Sequence, residues 1–198
     1  GLVPELARRP LPGKSKMRVA VMVPGDSPLM SLAGILAKLT QDDKTPEAVK
    51  KRSYRDELSQ AARGGDFDFL QCVVETLPDI QSVPLVLVVD QFEEIYSLCK
   101  DDEQRTAFIE NILHAASSST GYITIIIALR SDFLDETQHH QLLNQAIGTA
   151  DYNPVVQAMT PDEMRRAIAE PAKLAGHPLD ETFVSLLLKD IEGQAGAL

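Results

Sequence analysis

The chain has 198 residues, 44% of them hydrophobic and 24% charged, with a formal net charge of −10; this is enough for one globular domain, or one and a fraction, around a substantial core. The acid surplus, with basic clusters no longer than Arg8–Arg9, Lys50–Arg52 and Arg165–Arg166, argues against broad binding to a nucleic-acid backbone. No apolar stretch reaches the roughly 20 residues of a membrane span, no signal sequence opens the chain, and two cysteines, Cys72 and Cys99, are too few for a disulfide framework or a zinc ligand set, so a reducing, cytoplasmic setting is expected.

In chain order, Met17–Val23 is the first predicted strand and stops at Pro24-Gly25. Asp26-Ser27-Pro28 then supplies a cap and a first-turn proline for a helix with Leu29, Leu32, Ala33 and Leu36 on one face. Phe67, Leu70, Val74 and Leu77 form a second helical stripe. The run Leu85–Asp90 has no polar alternation before Asp90, which is the pattern of a strand buried on both faces in a parallel sheet. Phe108, Ile109, Ile112, Leu113 and Ala116 predict a third helix, ended by the loop Ser117–Gly121. Tyr122–Arg130 is the most β-branched stretch, and Val155–Met159 is a further short strand candidate.

Strands alternating with helices of this length mean βαβ units. The predicted fold class is therefore α/β, a mostly parallel sheet with flanking helices. After Met159 the pattern changes: Thr160-Pro161-Asp162-Glu163 reads as a capping box with proline at the first helical position. A second helix after Pro178 carries Phe183, Leu186, Leu187 and Ile191 on one side. These signals place a boundary near residue 160, with a core over 1–159 and the start of a helical subdomain over 160–198.

Asp90 is the first candidate site residue, because a carboxylate at the C-terminal tip of a buried parallel strand lies in the crevice where open α/β sheets bind ligands. In phosphoryl-transfer sites such an aspartate holds Mg²⁺, and a second acid positions the attacking water. Glu93 and Glu94 are both within reach of that second role. On a helix they point about 100° apart, so one faces the phosphate, and the sequence does not say which; both also suit the positive end of the helix that begins there. Arg130, at the end of the next strong strand, is placed either to contact a γ-phosphate or to pair with Asp132 or the Glu93–Glu94 acids.

Two apparent motifs are discounted. Gly13-Lys14-Ser15 looks like the end of a phosphate loop, but Arg8 stands where the first glycine belongs and the segment precedes a strand instead of following one. His139 and His140 are adjacent and lack the spacing that puts two ligands on one helix face.

Together VLVVDQFEEIYSLC, the following IIIALRSDF and the later VVQAMTPDEMRRAIAEPAKLAG resemble the STAND branch of P-loop NTPases, regulatory ATPases related to the AAA+ class. The resemblance is strongest to the bacterial type often found upstream of WD-repeat or similar sensor arrays, and it covers nearly the whole chain. It implies that Asp90 is the Walker B magnesium residue, that Glu93 and Glu94 are the acids following it, and that Arg130 holds the sensor position. It also implies ATP and Mg²⁺ as cofactors, self-association, attached or partner sensor and effector domains, and a helical lid beginning at residue 160. Gly1–Leu6 resembles the stretch just after the Walker A helix, Val19–Gly25 the second strand of the core, and Gly193–Leu198 a motif partway through the lid.

The resemblance places the Walker A loop and the strand feeding it before Gly1, so the 198-residue chain is expected to be inactive and marginally stable by itself, as the core fragment of a slow ATPase switch. Two other readings stand beside it. One is a non-catalytic scaffold that keeps the fold for assembly. The other is a metal-dependent phosphoesterase built on Asp90, Glu93, Glu94 and Asp132.

Overall fold

The computed structural model describes residues 2–41, 44–149 and 153–191. The chain divides into two compact units, Gly1–Thr149 and Ala150–Leu198; Gly1 and the closing Gly193–Leu198 motif lie outside the described residues.

The first unit runs α1 (Leu2–Arg8), β1 (Arg18–Met22), α2 (Pro28–Leu39), α3 (Glu47–Arg63), α4 (Phe69–Glu75), β2 (Leu85–Val89), α5 (Glu94–Ser97), α6 (Asp102–Ala116) and β3 (Ile123–Ile127). A 3₁₀ turn (Ser131–Phe133), α7 (Leu134–Thr137) and α8 (Gln141–Gly148) follow. The three strands form a parallel sheet in the order β1-β2-β3, so the mixed α/β class expected from the alternation of strands and helices is what the chain adopts. Arg18, Leu85 and Ile123 are in register at one end, and Met22, Val89 and Ile127 at the other.

The lack of alternation in β2 has a direct packing cause: all five of its residues are buried. Leu85, Leu87 and Val89 point into the main core with Leu29, Leu32, Leu36, Leu70, Phe108 and Ile112. Val86 and Val88 point the other way, onto Leu6 of α1. Burying one such side chain contributes about 1.5–3 kcal/mol, so β2 is the spine of the unit. β3 is nearly as apolar, with Thr124 its one polar residue, but only Ile123 is buried, and among the described residues its outer edge has no partner. An apolar strand with an open edge leaves backbone donors and acceptors unpaired and suits the addition of a further strand.

The helices follow the predicted stripes with some corrections. Leu29, Leu32, Ala33 and Leu36 are buried on α2. α4 begins at Phe69, with Phe67 before it, because Gly64 and Gly65 end α3 and Asp68 takes the N-cap position. On α6 the buried face includes Ala107, Asn111 and Ala115, while Ala116 is exposed; the face is rotated toward α2 and α4, against which α6 packs.

In the second unit, α9 (Pro161–Leu174) and α10 (Glu181–Ile191) pack together. The capping box forms: the Thr160 hydroxyl accepts from the Glu163 amide at 3.3 Å, and a Glu163 carboxylate oxygen accepts from the Thr160 amide at 2.8 Å. Arg165 pairs with Glu181 across the two helices. On α10 Val184 is buried, whereas Phe183 and Leu186 are 49% and 57% exposed. The predicted stripe of Phe183, Leu186, Leu187 and Ile191 is thus offset, because the helical period alone fits either side.

Val155–Met159 is not a strand. Residues 153–160 have no regular structure, and Val155 and Val156 are 79% and 93% exposed. A strand is held by ladder bonds and cross-strand pairs, and among the described residues nothing pairs with this segment.

Candidate functional site

Because the three strands are parallel and in register, their C-terminal ends meet at one rim. The main chain ties that rim together beyond the strands themselves. The Asp90 amide donates to the Met22 carbonyl at 2.9 Å, the Ala128 amide to the Val89 carbonyl at 2.9 Å, and the Phe92 amide to the Ala128 carbonyl at 2.9 Å. Asp90 is therefore the first residue past the buried run, and its side chain is exposed. One carboxylate oxygen accepts from the Gln91 amide at 3.0 Å, which leaves the second oxygen open to a ligand.

The turn after Asp90 is unusual. Gln91 has φ 52°, in the left-handed region that costs an ordinary side chain about 1–2 kcal/mol. Such a conformation persists where the surroundings over-determine it, and here they do. Phe92 is fully buried, with its ring 6.2 Å from Phe108 and 6.3 Å, edge-on, from Tyr96. The Phe92 anchor turns the chain sharply into α5 and places Glu93 and Glu94 beside the rim.

The two glutamates have different surroundings. An oxygen of Glu94 accepts the Gly25 amide at 3.0 Å, in the turn between β1 and α2, where Gly25 has φ 66°. Glu93 has a buried carboxylate oxygen, Oε2, with no hydrogen-bond partner. A buried, unpaired carboxylate oxygen is expensive unless something supplies a donor, and the rim is where a water or a ligand would do so.

Arg130 lies three residues past the end of β3. Its guanidinium donates to Asp132 twice, Nε at 3.1 Å and Nη2 at 2.7 Å, and it lies 5.8 Å from the centre of the Phe133 ring. The hydrogen bonds it donates to Asp132 hold Arg130 above its ordinary range, with a further pull from the Glu93 charge, and the same bonds hold the Asp132 carboxyl below its own. The pair is exposed, with side chains 62% and 56% accessible, so solvent screens it. Of the partners open to Arg130 in the sequence, Asp132 is the one it takes directly, and Glu93 is close enough to be felt.

The discounted motifs stay apart from this rim. Lys14 is exposed and precedes β1, at the opposite end of the sheet. His140 lies 3.3 Å from Glu110 through Nε2, and beside it a cavity of about 340 Å³ is lined by Tyr96, Arg105, Glu136 and His139. Burial pushes the Tyr96 hydroxyl up to about 12. Among the described residues no group of three or more His, Cys, Asp or Glu side chains could hold a metal; Asp132 is committed to Arg130 and Glu94 to Gly25, so the four acids of the phosphoesterase reading do not converge. Asp90 by itself, with one oxygen free of the Gln91 amide, suits a magnesium ion of the kind bound through one or two carboxylates, water and substrate phosphates.

Sequence reasoning missed the Gly25 turn as part of the site. Its signal was the Pro24-Gly25 stop at the end of a strand parallel to β2, which places that turn at the same rim. Compared with protein-family models, the chain matches Novel STAND NTPase 1 over residues 1–198. No curated protein sequence and no solved structure matches it.

Proposed function

The chain belongs to the Novel STAND NTPase 1 family, and from that premise we propose that it is the core of a signalling ATPase that binds Mg-ATP at the rim of the β1-β2-β3 sheet. The observation that carries this reading is Asp90, an exposed carboxylate with one free oxygen directly past a strand buried on both faces. Asp90 would hold the magnesium ion, which when bound neutralises charge on the nucleotide phosphates. Glu93, with its unpartnered oxygen, is the acid that would accept a hydrogen bond from, and so orient, the attacking water. Arg130 would exchange its exposed tie to Asp132 for a phosphate oxygen.

On this reading the lysine and backbone amides that cradle phosphates come from a Walker A segment outside these 198 residues. The open edge of β3, apolar and half-buried, supports such a neighbour. Slow hydrolysis would then bias a two-state element, with 160–198 as the start of a lid, self-association as the output, and WD-repeat-like sensor or effector domains attached. Two free cysteines, Cys72 and Cys99, and the absence among the described residues of any helix long and apolar enough to cross a membrane suit a reducing, cytoplasmic setting.

The test is Mg-ATP binding and hydrolysis by this chain and by a version extended upstream through the proposed strand and loop. Binding by the extended form, with hydrolysis reduced by about 10²-fold or more in Asp90→Ala, is the expected result. Unchanged turnover in Asp90→Ala would remove Asp90 from the site, and failure of both forms to bind would leave the non-catalytic scaffold.

A further inference from the structure

The two consecutive glutamates differ in one respect that follows from the fold: Glu94 is already engaged, and its partner is a backbone amide 69 residues away in sequence. We infer that Glu94 is a positioning residue, whose carboxylate accepts the Gly25 amide and so locks the β2–α5 turn, and with it Asp90 and Glu93, against the β1–α2 turn. The inference rests on the reading of Asp90 and Glu93 given above, and assigns Glu94 no contact with substrate.

The surroundings of the tie make it mechanically significant. Gln91 sits in a left-handed conformation that an ordinary side chain leaves unless held on both sides. Phe92 holds the turn from below, buried against Phe108. Glu94 holds it from the side, 3.0 Å from the Gly25 amide, and the Asp90 amide bonded to Met22 at 2.9 Å closes a ring between the ends of β1 and β2. The Gly25 turn is itself fixed, since the Ser31 hydroxyl on α2 donates to the Pro24 carbonyl at 2.9 Å. Glu94 is thus bonded to a turn that is itself tied to α2. An ionised acceptor on a backbone amide also makes a stronger bond than a neutral one.

A positioning role and a direct catalytic role separate in a comparison of Glu94→Gln with Glu94→Ala. Glutamine keeps an oxygen for the Gly25 amide and loses the charge; alanine loses both. The experiment measures steady-state ATP hydrolysis per folded molecule and site-resolved amide exchange at Gly25, Gln91 and Phe92, in the full-length protein, for wild type, both Glu94 variants and Glu93→Gln.

Glu94→Gln is expected to keep all three amides protected and kcat within about 3-fold of wild type. Glu94→Ala is expected to speed exchange at the three amides by about 10-fold or more and to lower kcat about 10-fold, with KM for the nucleotide little changed. Glu93→Gln should lose turnover with the amides still protected. Glu94→Gln falling as far as Glu94→Ala, with the amides protected, would overturn the inference in favour of a direct role for the charge. Unchanged exchange in Glu94→Ala would overturn it outright, and so would an intact kcat alongside faster exchange. If the wild type hydrolyses no nucleotide, the ATPase reading fails while the exchange data still decide whether Glu94 orders the turn.

Discussion

The sheet unit and the helical unit obtain order from different sources. In Gly1–Thr149 the strand β2 is buried along its whole length and the side chains around it are almost fully enclosed. Among the described residues of Ala150–Leu198, Val184 is the one buried hydrophobic side chain, and Val155, Val156, Leu174, Phe183 and Leu186 are exposed. In the second unit α9 starts at the Thr160 capping box and α10 just after Asp180, whose carboxylate accepts from the Thr182 amide. The first unit therefore depends on nonlocal packing, and the second on short-range signals that a sequence carries openly.

This contrast is open to attack by substitution. The largest effect should come from Leu87→Ala, at a fully buried position in the centre of β2: about 2–5 kcal/mol of stability, read as a lowered urea midpoint at unchanged slope. A loss under about 1 kcal/mol would mean the core around β2 is far looser than its burial indicates.

Thr160→Ala should cost about 1 kcal/mol, confined to α9 and visible as faster exchange of its first amides, with the sheet amides unaffected. The same cap gives the pH response. Bonds from the Thr160 amide and hydroxyl hold the Glu163 carboxyl below its ordinary range, so the folded form releases the proton more readily. That contribution is present above the ordinary glutamate range and is lost as the pH falls through the lowered value. Frayed α9 amides should thus appear on acidification in wild type; an α9 start that responds equally to acid in Glu163→Gln would place the titration elsewhere.

The smallest effect should come from Phe183→Ser, within about 0.5 kcal/mol, because nearly half of that side chain is exposed. A loss comparable to that of Leu87→Ala would show that α10 buries its other side.

What was legible beforehand follows the same division. The β2 run and the Thr160 cap could be read directly, since each is a local pattern with one dominant cause. α3 was not delineated, because its 17 residues bury only Leu58 and present almost no apolar stripe. Val155–Met159 has the composition of a strand, but composition does not provide a neighbour. Of the candidate site, the positions of Asp90, Glu93, Glu94 and Arg130 at or just past the strand ends could be read from the sequence. That Glu94 is the one bonded to the Gly25 amide could not, because it depends on the β1–α2 turn arriving beside it. Likewise the choice of Asp132 by Arg130 depends on the 3₁₀ turn that follows β3.

The strand register also sets a timetable for folding. Arg18 must find Leu85, and Leu85 must find Ile123, with two long helices and a shorter one lying between the first two strands. Closing such spans forfeits chain entropy before the ladder returns any of it. During synthesis the apolar side of β1 must therefore wait, unpaired, until α2, α3 and α4 have emerged. The apolar faces of those helices stay uncovered as well until β2 arrives, so sheet and helices gain their packing together.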